Sequence, residues 1–176
     1  MTEPVFARLA VIGCGLIGSS VIRAARKGGA VQTVAVYDAS AEVRARVAEL
    51  GYADEVFDDA ADAVAGADLV IFAAPPAAIG EAAKLAAKGL KAGAVVSDVG
   101  SVKAAVADAL LEALPDSVFV VPGHPIAGTE SSGPDAGFAE LFSGRWTILC
   151  PQARDDAPYA DAVERLTAFW QALGAN

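Results

Sequence analysis

Basic residues are scarce. Thirteen Lys and Arg stand against 22 Asp and Glu, giving a net charge of −9 at neutral pH. Nucleic acid and anionic membrane surfaces both demand a basic footprint, so neither is expected as a partner. An anionic small molecule stays open, because a local cationic pocket can sit on an acidic protein. Long apolar runs are also missing. The longest stretch without a charge, Leu9 to Ile22, has 14 residues and includes three glycines, short of the ~20 needed to cross a bilayer. No basic segment leads into an apolar one at the N-terminus, so no signal peptide is expected. There are two cysteines, Cys14 and Cys150, with neither metal nor disulfide spacing, which makes a reducing cytoplasm the default setting. Histidine occurs once, as His124.

What is present is Ala-rich and apolar, with a mean hydropathy of +0.44. A chain of 176 residues fits one domain that buries roughly two-thirds of its unfolded surface. Apolar β-branched runs alternate with Ala-rich helical stretches. Strands are expected at 9–12, 33–37, 69–73, 94–97, 118–121 and 146–150, with a short one at 55–57. Helices are expected at 16–27, 41–50, 59–65, 78–88, 102–114 and 159–173. Continuous apolar strands alternating with helices imply an α/β domain, doubly wound, with a mostly parallel sheet covered on both faces. The stretch 122–137 reads as a long loop, and such loops in small domains are usually functional. The final helix leaves almost no tail. Two readings follow: one half of a two-domain enzyme, or a complete small domain.

Gly13-Cys14-Gly15-Leu16-Ile17-Gly18 follows the first strand and opens a helix. In that context Gly13 permits the tight turn, Gly15 lets backbone approach a pyrophosphate, and Gly18 lets helix pack on strand. The helix N-terminus, with Leu16 and Ile17, presents N–H groups to the phosphates. Asp38 lies twenty residues after Gly18, at the end of the second strand, where a carboxylate accepts the ribose hydroxyls. Such a carboxylate repels a 2′-phosphate, so NAD is expected, with NADP left open because Arg44 lies on the next helix. A plain turn without a nucleotide is the bland alternative.

Three further segments fall at carboxyl ends of expected strands. Ala74 and Pro75 are small and rigid, and would let a nicotinamide lie against backbone. Ser101 reads as the N-cap of the next helix, and a capping Ser in a cleft can also serve a substrate or a histidine. Asp98 is either a turn-stabilising acid or a catalytic one. Lys103 either holds an anion or is a solvated lysine on a helix face. His124 comes just after an apolar strand in a dinucleotide-type domain, and an imidazole suits the proton released when a carbinol is oxidised. Thr129 and Glu130, in the same loop, either orient a ligand or bond to backbone.

The combination of Gly13-x-Gly15-x-x-Gly18, Asp98-Val-Gly-Ser-Val-Lys103 and Gly123-His-Pro-Ile-Ala-Gly-Thr-Glu130-Ser-Ser-Gly133 closely resembles the prephenate/arogenate (cyclohexadienyl) dehydrogenase family. Residues 137–149 are similar to it as well, so the resemblance spans nearly the whole chain. It implies that residues 1–176 form a Rossmann-type NAD(P)-binding domain. It also implies a C-terminal helical domain, absent from this chain, that dimerises the full-length enzyme and closes the active site. The implied activity is NAD(P)-linked oxidative decarboxylation of prephenate to 4-hydroxyphenylpyruvate, or of arogenate to tyrosine, in the cytoplasm. On the same resemblance His124 is the catalytic histidine at the ring hydroxyl and Ser101 supports both. Thr129 and Glu130 match polar residues of the substrate pocket and its gate. The family's carboxylate-binding arginine belongs to the helical domain, and Arg145 and Arg154 are no obvious substitutes. This chain alone is therefore expected to bind cofactor but turn over poorly. Two other readings stand beside it. One is another two-domain hydroxyacid dehydrogenase or imine reductase; the other is a non-catalytic dinucleotide-binding module.

Overall fold

The computed structural model describes residues 3–176. Six strands form one parallel sheet: β1 (Phe6–Ile12), β2 (Val31–Tyr37), β3 (Glu55–Phe57), β4 (Leu69–Phe72), β5 (Val95–Asp98) and β6 (Phe119–Val120). Their spatial order is β3-β2-β1-β4-β5-β6, the doubly wound dinucleotide-binding order. The expected α/β class and parallel sheet are what the chain adopts.

Strand alternation feeds two cores. In β1, Leu9 and Val11 enter one cluster while Ala10 and Ile12 enter the other; in β4, Leu69 and Ile71 oppose Val70 and Phe72 in the same way. The first core is covered by α1 (Leu16–Lys27), α2 (Ala41–Leu50) and α6 (Ala157–Ala172), the second by α3 (Ala60–Val64), α4 (Pro76–Ala86) and α5 (Lys103–Ala113). Phe6 and Phe142 interlock edge-to-face with Phe169 and Trp170 of α6.

Local chemistry sets the helix starts. Ser40 caps α2 by accepting from Val43 N, Asp59 caps α3, and Asp156 caps α6 by accepting from Tyr159 N. Pro76 occupies the first turn of α4, where its missing N–H costs nothing. The chain turns left-handed at Gly51, with φ +70°, to end α2.

Three expectations need correction. Ser101 does not cap α5: Val102 holds that position and no side chain bonds there. The stretch from 122 is not all loop, because residues 123–125 form a strand, β7 (Gly123–Pro125). The strand expected at 146–150 is shorter, β8 (Thr147–Leu149), and it stands outside the main sheet, pairing antiparallel with β7. In that ribbon His124 lies opposite Ile148.

Candidate functional site

A cleft of about 700 Å³ opens at the carboxyl ends of β1, β2, β4 and β5. It lies over the β1/β4 boundary, where the strand order reverses and doubly wound sheets bind their ligands. Gly13, Gly15, Leu16, Ile17, Asp38, Ala74, Pro75, Ser101 and His124 all line it. Of the sequence-chosen residues, Gly18, Thr129 and Glu130 do not.

Each glycine of the loop has a distinct physical job. Gly13 adopts φ +97°, and a Cβ there would sit 2.7 Å from Ala74 N, so loop and β4 turn are in contact. Its N–H donates to Tyr37 O at 2.8 Å. Gly18 would place a Cβ 2.1 Å from Gly13 O. It therefore packs the helix onto the glycine turn and onto Ala73, just past β4, whose Cβ would lie 3.3 Å away. Gly15 differs: a Cβ there would meet nothing within 4 Å, since its open side is the cleft. Helix α1 starts at this point with no side-chain cap and no acid in its first turn. Its leading N–H groups thus face the cleft uncompensated, as an anion site requires.

Asp38 closes the adjoining corner. Its Oδ2 accepts from Cys14 N and its Oδ1 from Ser40 N, both at 2.8 Å. The carboxylate is held by backbone donors and keeps spare lone pairs for a diol. Arg44 is already committed, its Nη1 donating to Asp38 O at 2.8 Å and its Nε pairing with Asp58 at 3.0 Å. Cys14 is buried in the first core and shares a hydrogen bond with Tyr52 Oη at 3.3 Å. Burial pushes its thiol up to about 11 against the opposing pull of that bond, so it stays protonated and unreactive at neutral pH.

On the opposite wall, His124 is half-buried between the buried residues Gly123 and Pro125. The ribbon, rather than a free loop, sets its backbone. Ser101 is exposed on the same wall. No hydrogen bond joins their side chains among the described residues.

Lys103 is no solvated lysine. It pairs with the fully buried Asp98 and donates to Gly123 O at 2.6 Å. Asp98 is the turn-stabilising acid of the two readings, accepting from Gly100 N at 2.8 Å and Gly123 N at 3.2 Å.

Thr129 and Glu130 are exposed beyond the rim, and Thr129 Oγ1 accepts from Ser131 N at 3.1 Å. The segment that follows is anchored to α1 and α2: Phe138 N donates to Ser20 Oγ at 3.1 Å, and Arg46 grips Asp135.

Sequence reasoning missed the α4 side of the cleft, including Ala78, Glu81 and Leu85. A helix whose small residues recur every three to four positions on one face was the available signal. Among the described residues, the charged side chains lining the cleft are Asp38 and Glu81, with no Lys or Arg. Arg154 pairs with Asp156 and stacks on Tyr159 at the start of α6, none of which lines the cleft. Among the described residues, no three His, Cys, Asp or Glu gather to hold a metal, and no helix is long and apolar enough to cross a membrane.

Comparison with known proteins agrees with this geometry. The family model described as prephenate dehydrogenase, nucleotide-binding domain, matches residues 21–176. The chain is 44% identical over 172 residues to a cyclohexadienyl dehydrogenase of Zymomonas mobilis, covering 98% of this chain and 57% of that protein. It is 33% identical to a prephenate dehydrogenase of Bacillus subtilis, covering 93% of this chain and 44% of the relative. It therefore spans about half the length of these curated relatives. Among solved structures, the prephenate dehydrogenase of A. aeolicus in complex with hydroxyphenyl propionate and NAD+ superposes with a TM-score of 0.85 at 28% identity, over 97% of this chain and 58% of that one. A Synechocystis arogenate dehydrogenase gives 0.84 at 25% identity, over 96% and 58%. A 3-hydroxyisobutyrate dehydrogenase at 14% identity shares the fold alone, with a TM-score of 0.73. The glycine loop, the carboxylate after β2 and the histidine on the facing wall thus stand in a chain that belongs to the prephenate dehydrogenase nucleotide-binding domain family.

Proposed function

We propose that this chain is the NAD-binding domain of a dehydrogenase that oxidatively decarboxylates prephenate to 4-hydroxyphenylpyruvate, or arogenate to tyrosine, in cytoplasmic tyrosine biosynthesis. The observation that carries the reading is His124, fixed in a strand on the wall facing the glycine loop. The residues present fit the cofactor. Gly15 leaves open space, α1 offers uncapped N–H groups, and Asp38 is set to accept ribose hydroxyls. Arg44 is held by Asp58 and by loop carbonyls, which favours NAD over NADP. Bound there, NAD+ supplies the hydride acceptor.

The chain's own residues do the rest. Ala74 and Pro75 give a small, rigid wall that would hold the nicotinamide end of the cofactor. His124 accepts the proton of the substrate's ring hydroxyl as the carbinol carbon gives up hydride. The ring carboxylate then leaves as CO2 and the ring becomes aromatic, which drives the reaction. Ser101 shares that wall and hydrogen-bonds the same hydroxyl.

The substrate carboxylates need cations, and this cleft has none among its described lining residues. A cationic wall from a further helical domain, through which the full-length enzyme forms a homodimer, would complete the site. Thr129 and Glu130 lie two and three residues beyond the cleft-lining Ala127, suitably placed on the rim to meet it.

The test uses the natural-length protein. Prephenate- or arogenate-dependent NADH formation is expected, and His124→Asn should abolish it while NAD affinity is retained. A folded, NAD-binding His124→Asn variant with wild-type turnover would falsify the role assigned to His124. NADH binding without turnover of any candidate substrate would favour the non-catalytic reading instead.

A further inference from the structure

Asp98 is the last residue of β5 and is fully buried. One carboxylate oxygen accepts from Gly100 N at 2.8 Å and the other from Gly123 N at 3.2 Å. Gly100 immediately precedes Ser101, and Gly123 immediately precedes His124. Lys103 completes the arrangement by pairing with Asp98 and donating to Gly123 O at 2.6 Å. Both backbone polar groups of Gly123 are therefore held by a single ion pair. The placement of Lys103 is costly by itself. It is the first residue of α5, where the helix dipole disfavours a cation. A lysine at that position needs a compensating partner, and Asp98 is that partner. The two glycines are required by the same closeness. A Cβ on Gly100 would fall 3.0 Å from Asp98 Oδ2, and one on Gly123 would fall 3.0 Å from Asp98 O.

We propose that the buried Asp98–Lys103 pair is a positioning device that sets the backbone of the Ser101 turn and the His124 strand together. Neither residue lines the cleft, so both act through their neighbours. The pair ties the turn before Ser101 to the strand that carries His124. Moving the lysine releases Gly123 O, frees β7 at its Gly123 end, one residue before His124, and lets the imidazole leave its working place. The consequence for turnover rests on the dehydrogenase reading; the consequence for His124 geometry does not.

The test exploits the solitary histidine, which gives one imidazole Cε1–H resonance in this chain. Lys103→Met is expected to shift and broaden that resonance and to change its titration curve, with NAD affinity unchanged. Lys103→Arg, which keeps charge and donors, is expected to restore the wild-type signal. Should Lys103→Met fail to fold, Lys103→Gln, neutral but still a donor, takes its place with the same expectation of a displaced resonance. In the natural-length enzyme, Lys103→Met should lower kcat about a hundredfold, the scale of a misplaced catalytic group, with the KM for NAD unaltered. A His124 resonance and titration identical to wild type in the folded Met or Gln variant overturns the proposal. Absence of turnover in the wild-type enzyme would instead sink the dehydrogenase reading and leave the resonance comparison standing.

Discussion

A methyl group added at Gly18 and one added at Gly15 separate the two tasks of the glycine loop. At Gly18 it would lie 2.1 Å from Gly13 O, so Gly18→Ala should lower stability by about 1–3 kcal/mol through overpacking, read by thermal unfolding. At Gly15 it would meet no protein atom within 4 Å, so Gly15→Ala should leave the melting temperature in place and weaken dinucleotide binding only. Asp38→Ala leaves the partly buried Cys14 N–H without its acceptor, while the exposed Ser40 N–H turns to water, and should cost about 1–3 kcal/mol for the one stranded group. Its NAD affinity should fall further than its stability explains. At this scale much was legible, because a strand–glycine–helix junction with an acid beyond the next strand constrains the backbone tightly. What escaped was long-range. The distance from Lys103 to Gly123 is set by how β5 and the ribbon pack, and no local pattern around Lys103 encodes it. Ser101 was misread as a cap for a related reason: a serine before a helix satisfies the local rule, but the backbone bends once more and Val102 takes the position.

The six sheet strands and their covering helices were legible from hydrophobic period and breakers. The β7–β8 ribbon was not. Gly-His-Pro has poor strand propensity and the look of a loop. It becomes a strand because Thr147–Leu149, more than twenty residues away, offers it partners. Trp146 and Ile148 are exposed on that ribbon, so its stability comes from pairing and from the anchored segment behind it. Helix α6 shows the opposite economy. Phe169 is fully buried and packs edge-to-face on both Phe6 and Trp170. Phe169→Ala should cost about 3–5 kcal/mol, the range for a large core aromatic truncated to alanine, measured by denaturant unfolding.

Taken whole, the molecule is acidic and leans on paired carboxylates. Burial pushes Asp68 up, but the hydrogen bond from Lys91 and the N–H of Arg8 outweigh it and hold the carboxyl below its usual range. The Arg46 hydrogen bond likewise lowers the exposed Asp135. A carboxylate with a depressed folded pKa contributes stability that is complete above the unfolded value, about 4. That contribution is lost as pH falls through the lower folded value. The melting temperature should therefore be flat in this respect above about pH 5 and drop below it, and Asp68→Asn should flatten the acid side of the curve. Topology was readable at this scale, since alternating apolar strands and helices admit few arrangements. The cation-free cleft wall was not, because it depends on which of the 13 basic side chains face inward.

Every role assigned to this domain depends on NAD binding in the glycine-loop cleft. Titration calorimetry of NAD+ into this chain and into Gly15→Val is the sharpest test, because a Cβ at Gly15 meets no packed neighbour within 4 Å and the side chain grows toward the cleft. One-site binding by the wild type is expected, with at least roughly tenfold weaker binding by the variant, a loss of about 1.4 kcal/mol, at an unchanged melting temperature. Equal affinity in the two proteins, or no NAD+ binding by the wild-type chain, would contradict it.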